Sequence, residues 1–386
     1  MTRPNLPIYL DYQATTPLDD RALEAMMPYL TTKFGNPHSI NHSFGWEAEA
    51  GVEKARSEIA GLIGADDDEI IFTSGATESN NLAIKGTAYA LYPDKNHIIT
   101  VATEHGCVLE SCRSLEQSGL EVTVLPVKPD GLLDIDLLAE SISDKTGLVS
   151  VMTVNNEIGV IQDIAAIGRL CREKGVLFHT DAAQGVGKIP LSMKEMPIDL
   201  MSISGHKLYG PKGIGALYVS NSLKTRPVSL MSGGGQERGL RSGTLAPALC
   251  AGFGAACAIA QREMDQDRKH TEMLSKRFFE KIQAQLEGVT LNGSAEKRLP
   301  ANLNLTFEGV KSDLLVSGIR DIALSTGSAC STAKPQPSHV LTALGLARKQ
   351  IDCSVRIGFG RMTTEAEVDF SADIITETVR TARNPY

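Results

Sequence analysis

The sequence lacks the features that mark membrane, secreted and fibrous proteins. Its longest weakly apolar stretch, Thr244–Ala260, is mostly Ala, Gly and Cys and contains Pro247, so it does not suit a bilayer span of about 20 residues. The N-terminus has no charged-then-apolar signal pattern, because Asp11 and Asp19 arrive too early. Internal repeats and low-complexity tracts are also missing. We therefore expect a globular protein of the cytoplasm that does not enter a membrane.

Cysteine pairs and nucleotide-binding motifs are missing as well. The seven cysteines form no C-x-x-C pair and their count is odd, so free thiols in a reducing compartment are the simplest interpretation. The sequence contains neither G-x-G-x-x-G nor a Walker A motif, so dinucleotide and ATP binding are poorly supported. A formal net charge of -8 speaks against direct binding of nucleic acid as the main function.

Short β-branched runs alternate with helix-like segments through the first 260 residues of the chain. Such alternation predicts an α/β fold with a mainly parallel sheet. We predict a large domain over residues 16–262, and a small α+β domain formed by residues 1–15 and 263–386. The small domain is expected to carry a mobile loop at about residues 325–337. The predicted strands of the large domain are Glu69–Ser74, His97–Ala102, Glu121–Pro126, Leu148–Val154, Val176–His179, Leu200–Ser204 and Gly215–Ser220.

Polar residues concentrate where these predicted strands end. In an open α/β sheet, ligands bind beyond the carboxyl ends of the strands. The strand Glu69–Ser74 leads through a glycine turn into a helix N-terminus, which suits a phosphate group. Four further strands lead to His105, Asn156, Asp181 and Lys207. This set predicts pyridoxal-phosphate chemistry, which needs a lysine for a Schiff base and an acidic partner for the pyridine nitrogen.

Seven segments of the chain match the motifs of one family. They are Tyr9–Pro17, Thr73–Asn80, Asn155–Gly159, Asp181–Gln184, Ser204–Lys207, Arg241–Thr244 and Gly327–Cys330. On these segments the sequence resembles the cysteine desulfurases of the IscS/NifS branch, which are class-V aminotransferase-like proteins of fold type I. The resemblance covers nearly the whole chain, and several of the motifs are highly specific.

The resemblance implies a fold with a mainly parallel seven-stranded sheet in the large domain and a smaller C-terminal α+β domain. It also implies a homodimeric enzyme that uses pyridoxal 5'-phosphate to convert L-cysteine to L-alanine. The sulfur would be held as a persulfide on Cys330 and passed to an acceptor protein, such as an iron–sulfur scaffold or a sulfur relay protein. Iron–sulfur cluster assembly or thiolation would follow, and no metal site is expected in the chain itself.

The resemblance assigns three catalytic residues, Cys330, Lys207 and His105. Lys207 would form the Schiff base with the cofactor, and Cys330 would accept the sulfur. His105 would stack on the cofactor ring and assist proton transfer. Asp181 would pair with the pyridine nitrogen, and Gln184 would hydrogen-bond the ring hydroxyl oxygen.

Further residues are assigned to the cofactor and the substrate by the same resemblance. Asn156 and Arg356 would hold the substrate carboxylate, and Asn156 would also contact the cofactor. The predicted phosphate ligands are Ala76, Thr77, Ser204 and His206, together with Thr244 from the partner subunit.

The sequence around Cys330 supports its role independently of the resemblance. Cys330 lies in Ser325–Pro337, a segment rich in Ser, Thr, Gly and Pro. A thiol that meets a substrate sulfur and later hands it to another protein needs a mobile tether and must react as the thiolate. Cys250 and Cys257 lie instead in an apolar run, where a cysteine is normally a small core residue.

The chain departs from the family pattern at two places. Gly106 and Cys107 follow His105, where the family usually has Lys or Pro and then Ala, and the sequence does not reveal a role for Cys107. The chain also ends soon after its last predicted helix, without the tail with which IscS-type relatives help to dock the scaffold. We expect from this a NifS-like or specialised desulfurase.

Other functions remain open on the sequence. A selenocysteine lyase or another class-V enzyme would use the same cofactor. Cys330 could instead serve as an acyl-transfer nucleophile, although that would leave Asp181 and Lys207 without a role. Ser204 and Lys207 also fit the S-x-x-K pattern of serine acyl-enzymes, but the turn after Lys207 argues against a helix carrying both. His38 and His42 have a spacing that suits metal ligands, yet no third ligand lies nearby, so an interface loop is favoured.

Overall fold

The structure is a computed structural model, and it describes residues 4–326 and 337–384. The described residues form twelve strands in three sheets. These strands are β1 (Ile8–Tyr9), β2 (Ile70–Thr73), β3 (His97–Val101), β4 (Glu121–Leu125), β5 (Thr146–Ser150), β6 (Leu177–Asp181), β7 (Leu200–Ser204), β8 (Gly215–Val219), β9 (Val289–Leu291), β10 (Asn302–Phe307), β11 (Ile322–Ala323) and β12 (Ser354–Gly358).

The helices of the described residues cover the sheets and connect them. Those near the large sheet are α1 (Asp20–Thr31), α2 (Ser43–Ile63), α3 (Ala76–Asn81), α4 (Thr87–Leu91), α5 (Gly106–Gln117), α6 (Ile135–Ser141) and α7 (Ile164–Lys174). Those that follow are α8 (Pro247–Gln285), α9 (Ser312–Gly318), α10 (His339–Ala343), α11 (Arg348–Ile351) and α12 (Glu365–Arg383). A π-helical turn, Leu82–Gly86, joins α3 to α4, and short 3-10 turns lie at Asp67–Glu69, Gly205–Lys207 and Glu237–Gly239.

The large sheet has seven strands in the order β2-β8-β7-β6-β5-β3-β4. Strands β3 to β7 are parallel to their neighbours within this group, and β8 runs antiparallel to both β7 and β2. The residues of β2, β3, β5, β7 and β8 are all buried, as expected for strands covered by helices on both faces. The predicted α/β fold with a mainly parallel seven-stranded sheet is therefore confirmed.

One predicted strand was misplaced along the sequence. The run Leu148–Val154 is mostly apolar, with only Ser150 and Thr153 polar, but β5 occupies Thr146–Ser150. Just after β5, the backbone N–H of Val151 still donates a hydrogen bond to the carbonyl of His179. The chain then folds back, and Val154 forms an antiparallel β-bridge with Ile161. Apolar character alone did not locate this end, because the folded-back segment is as buried as the strand.

The second group of strands lies at the other end of the chain. Strand β10 pairs antiparallel with β12 and β9, and the two-residue strands β1 and β11 pair in parallel. Helix α12 begins where Thr364 and Glu367 form a capping box, as the sequence predicts. Helix α8 has Pro247 in its first turn. Proline is tolerated there because the N–H groups of a first turn have no acceptor within the helix.

Helix α8 connects two hydrophobic cores. Phe253 and Cys257, in its first half, pack in the core around the large sheet, whereas Leu274 and Phe278 pack with strands β10 and β12 in the second core. The division that we propose, with residues 16–262 in the large domain and residues 1–15 and 263–386 in the small one, falls between these two groups. No helix of the described residues is long and apolar enough to cross a membrane.

Candidate active site

Lys207 lies in the 3-10 turn that follows β7, at the carboxyl edge of the large sheet. Its Nζ donates hydrogen bonds to the backbone carbonyls of Gln13 at 2.7 Å and Ala14 at 2.8 Å. The segment before α1 thus crosses the end of the sheet and supplies acceptors for the amine. The sequence predicted Lys207 at this edge but gave no signal that Gln13 and Ala14 would meet it.

Asp181 ends the neighbouring strand β6 and is buried. One carboxylate oxygen accepts from the backbone N–H of Ala183 at 2.9 Å, and the other accepts from Asn80 Nδ2 at 2.7 Å. Strands β6 and β7 are adjacent and parallel, so Asp181 and the Lys207 turn lie at the same edge. This edge of the sheet therefore carries both a buried carboxylate, which a protonated pyridine nitrogen requires as its partner, and a lysine amine, which a Schiff base requires.

His105 is the N-cap of α5, and its Nδ1 accepts from the backbone N–H of Cys107 at 3.2 Å. Burial lowers the pKa of His105 below its ordinary value, with Asp181 acting against that shift and Lys207 and His339 adding to it. The preceding residue, Glu104, is completely buried, and burial together with the nearby Asp181 raises its pKa well above the ordinary value. His105 is therefore a mainly neutral ring at neutral pH, and it follows a glutamic acid whose neutral form is favoured by burial.

The phosphate site is predicted at the turn from β2 into α3. Gly75 has φ +148°, a conformation that favours glycine, and a Cβ there would meet nothing within 4 Å, so the turn borders open space. Ala76 and Thr77 follow as the first residues of α3. The turn lies against β8, because a Cβ on Gly215 would come within 2.7 Å of Gly75 Cα.

Ser204 and His206 reach the same region from β7. Ser204 pairs with Gly215 in the sheet, which places the end of β7 beside the Gly75 turn. His206 Nδ1 hydrogen-bonds Thr15 Oγ1 at 3.0 Å, and burial, aided by nearby lysines, lowers its pKa to about 4. Ser204 therefore lies beside the Gly75 turn, and His206 follows two residues later in the 3-10 turn after β7.

Gln184 lies one turn beyond Asp181 and is held by two contacts. Its Nε2 donates to the carbonyl of Gln13 at 2.8 Å, and its Oε1 accepts from Lys188 Nζ at 2.9 Å. Burial, with smaller contributions from Lys207 and Arg356, lowers the pKa of Lys188 to about 7. Sequence reasoning missed Lys188, although its position four residues after Gln184 was a signal that one helical turn could bring them together.

Arg356 lies in β12, from the second group of strands, and is buried. Its guanidinium donates to Asp11 Oδ1 at 2.7 Å and to the carbonyl of Asn156 at 3.0 Å. Its Nε is buried and has no hydrogen-bond partner in the structure. Asn156 and Arg356 are therefore in contact, as two residues that share a substrate carboxylate should be.

Two of the predicted site residues are not placed in this site by the described structure. Thr244 is exposed and stays a predicted contribution from a partner subunit. Cys330 lies outside the described residues, so its role stays a prediction. The described residues on either side of it are anchored near the site. Ser325 bridges Arg356 on one side, and on the other Ser338 donates to the buried carboxylate of Glu157.

The competing sequence interpretations find little support in the geometry. Ser204 ends a strand and Lys207 lies in the following 3-10 turn, so no helix carries the S-x-x-K pair. His42 caps helix α2 through its ring nitrogen, and no group of three His, Cys, Asp or Glu side chains among residues 4–326 and 337–384 could hold a metal ion.

Comparison with known proteins agrees with this geometry. The sequence profile of the family described as "Aminotransferase class-V" matches residues 8–370. "Cysteine desulfurase IscS" of Rickettsia felis is 57% identical over 375 residues, which is 97% of this chain and 92% of that relative. The protein of the same name from Rickettsia bellii is 56% identical over 98% of this chain and 92% of its own length.

Solved structures show the same likeness. A structure described as "NIFS-LIKE PROTEIN" superimposes with a TM-score of 0.90 at 36% identity, and covers 96% of this chain and 99% of its own. A structure described as "SspA in complex with cysteine" gives a TM-score of 0.83 at 39% identity, covering 92% of this chain and 100% of its own.

The chain therefore belongs to the class-V aminotransferase family, with the fold type I architecture. Within that family it belongs to the cysteine desulfurases of the IscS/NifS branch.

Proposed function

We propose that the chain is a pyridoxal-phosphate-dependent cysteine desulfurase that converts L-cysteine to L-alanine and keeps the sulfur as a persulfide on Cys330. The observation that carries the proposal is the meeting of Lys207, Asp181 and His105 at one edge of the sheet, in a chain 57% identical to a cysteine desulfurase. The similarity to SspA, whose structure was solved in complex with cysteine, supports cysteine as the substrate.

The described residues fit the proposed cofactor. The open space beside Gly75 and the donors near it suit a phosphate, the buried Asp181 suits the pyridine nitrogen, and Lys207 suits a covalent link to the aldehyde. Gln184 would face the ring hydroxyl and His105 the ring. When bound, the cofactor would withdraw electrons from the substrate Cα.

Different side chains of this protein would bind the substrate, transfer its proton and accept its sulfur. Asn156 and Arg356 would hold the substrate carboxylate, and Lys207 would take the Cα proton once its amine is released. The Cys330 thiolate would attack the substrate sulfur, so that a new S–S bond forms as the C–S bond breaks. The bonding electron pair stays with the carbon, which gains a proton and leaves as alanine, while the sulfur remains on Cys330.

We also propose that the chain works as a homodimer in which Thr244 of each subunit completes the phosphate site of the other. Large apolar side chains are exposed in the segment between α1 and α2 and in the first turn of α2. They include Phe34 at 68%, Ile40 at 73% and Trp46 at 55%, and such a patch is typical of an interface. The cysteines of the described residues are free thiols, which supports a cytoplasmic location. The sulfur would pass to an iron–sulfur scaffold or a sulfur relay protein.

Mass spectrometry after treatment with L-cysteine tests the proposal. We expect one added sulfur on the peptide that contains Cys330, its removal by a thiol reductant, and alanine in the supernatant. Cys330→Ala should keep the visible absorbance of the cofactor but release no sulfur. A Cys330→Ala variant that forms alanine and sulfide at the wild-type rate would show that the persulfide step is wrong. Cys353→Ala, which removes a buried thiol elsewhere, is the matched control.

A further inference from the structure

Cys107 is joined to the site by side-chain hydrogen bonds that its position in the sequence does not reveal. Its Sγ lies 3.0 Å from His105 Nδ1 and 3.1 Å from Asn80 Nδ2. The same Asn80 Nδ2 donates to Asp181 Oδ2 at 2.7 Å. Asp181, Asn80, Cys107 and His105 therefore form one continuous series of hydrogen bonds, from the carboxylate at the end of β6 to the first turn of α5.

The chemistry of the groups fixes the direction of each bond. The Asn80 amide nitrogen carries two hydrogens and only donates, so Cys107 Sγ accepts one of them and Asp181 accepts the other. Burial raises the pKa of Cys107 to about 12, so the thiol keeps its own hydrogen at neutral pH. That hydrogen is then available to His105 Nδ1, which also accepts from the backbone N–H of Cys107.

A ring nitrogen that accepts two hydrogen bonds carries no proton. His105 therefore has its single proton on Nε2 when it is neutral. Among the described residues, no hydrogen bond to Nε2 competes for that proton. In this tautomer Nε2 is an N–H donor, whereas in the other tautomer Nε2 would carry a lone pair and act as an acceptor.

We propose that Cys107 and Asn80 are positioning residues that hold His105 in its Nε2–H tautomer, so that His105 enters the reaction as a proton donor. The inference rests on the proposed function, because His105 acts on the cofactor and substrate only there. It adds to that function a role for two residues with no assigned part. Both act through the hydrogen bonds that link them to each other and to His105.

The experiment is ¹⁵N NMR of the purified enzyme, with its cofactor, labelled at histidine. The sequence has eight histidines, and the His105 signals are identified by their loss in His105→Asn. In the wild type we expect Nε2 to be the protonated nitrogen. Cys107→Ala should give a mixture of both tautomers, because the shorter of the two contacts to Nδ1 is lost. Cys107→Ser should restore the wild-type spectrum, because a hydroxyl both accepts from Asn80 and donates to His105.

Activity provides a second comparison. Cys107→Ala should lower kcat about tenfold with little change in KM, because general acid catalysis contributes to turnover and leaves binding unaffected. Cys107→Ser should stay within about threefold of the wild type. Cys112→Ala is the matched control, since it removes a buried thiol from the same helix α5 without a bond to His105. Asn80→Ala, which removes the donor that orients the thiol, should change the spectrum in the same direction as Cys107→Ala.

The outcomes separate this inference from the function on which it rests. An unchanged His105 spectrum in both Cys107→Ala and Asn80→Ala would overturn the inference, whatever the activity. Equal losses of activity in Cys107→Ala and Cys112→Ala, with no rescue by Cys107→Ser, would also overturn it. If the spectra change as expected in an enzyme that does not desulfurate cysteine, the assigned tautomer stands and the proposed function fails.

Discussion

The buried ion pair between Arg56 and Glu237 should be costly to break by removing one partner alone. Both side chains are at most 5% exposed, and the Glu237 carboxylate accepts from Arg56 at 2.8 and 3.0 Å and from the backbone N–H of Phe72 at 2.6 Å. Phe72 lies in β2, just before the Gly75 turn. The pair therefore ties the segment leading to Thr244 to the strand that leads to the phosphate site.

Removing one partner leaves the other charge buried without compensation. Glu237→Gln keeps the shape but removes the charge, and we expect a loss of about 3 kcal/mol or more in the free energy of unfolding. Arg56→Met should cost a similar amount. The double variant should cost clearly less than the sum of the two, with a coupling of about 2 kcal/mol, because neither charge then remains buried alone.

Urea unfolding followed by circular dichroism measures these differences. With an m-value of about 3 kcal/mol/M, a loss of 3 kcal/mol moves the midpoint by about 1 M. Glu110→Gln is the control, because Glu110 pairs with Arg113 on the surface, where both side chains are more than half exposed and the expected change is below about 0.5 kcal/mol. The reasoning is refuted if Glu237→Gln behaves like Glu110→Gln, or if the two single losses simply add.

Two further predictions concern the substrate and the pH dependence of stability. Arg356→Lys should raise KM for cysteine at least about tenfold and change kcat less, because lysine keeps the charge but loses the planar pair of donors. Steady-state alanine formation measures both constants. An unchanged KM would argue against binding of the substrate carboxylate by Arg356. Glu104 has a folded-state pKa well above its ordinary value of 4.5, so its contribution to stability is present below pH 4.5 and is lost as pH rises toward the folded-state pKa. Glu104→Gln should therefore gain stability relative to the wild type as pH rises above 4.5, by up to about 1.4 kcal/mol per pH unit. Urea titrations at several pH values measure this, and a difference independent of pH would count against a raised pKa of Glu104.

Much of the fold could be predicted from the sequence, because local signals and burial agreed. The sequence pattern predicts strands at Asn302–Phe307 and Ser354–Gly358 and a last helix capped by Thr364, and the structure has both strands with these bounds and the helix with this cap. Helix α1 was not predicted, and it contains Pro28, which normally argues against a helix interior. The π-helical turn Leu82–Gly86 was also missed, since its residues differ little from those of an ordinary helix.

The carboxyl ends of the strands could be predicted as the site, but the contacts between the site residues could not. The alternation of strands and helices predicts which residues reach the carboxyl edge, and Asp181 and Lys207 are found there. The contact of Lys207 with Gln13 joins residues 194 positions apart, and the link from Asn80 to Asp181 spans 101. No local sequence pattern predicts contacts between residues so far apart along the chain, because these contacts depend on how the whole sheet is assembled.

The covalent attachment of the cofactor tests the central claim most directly. The purified protein is reduced with borohydride, digested and analysed by mass spectrometry. Our account predicts that the visible absorbance disappears and that the reduced cofactor is found on the peptide containing Lys207, with none in Lys207→Arg. A colourless protein that stays colourless after incubation with pyridoxal phosphate, or a label on another amine such as the half-buried Lys188, would contradict it.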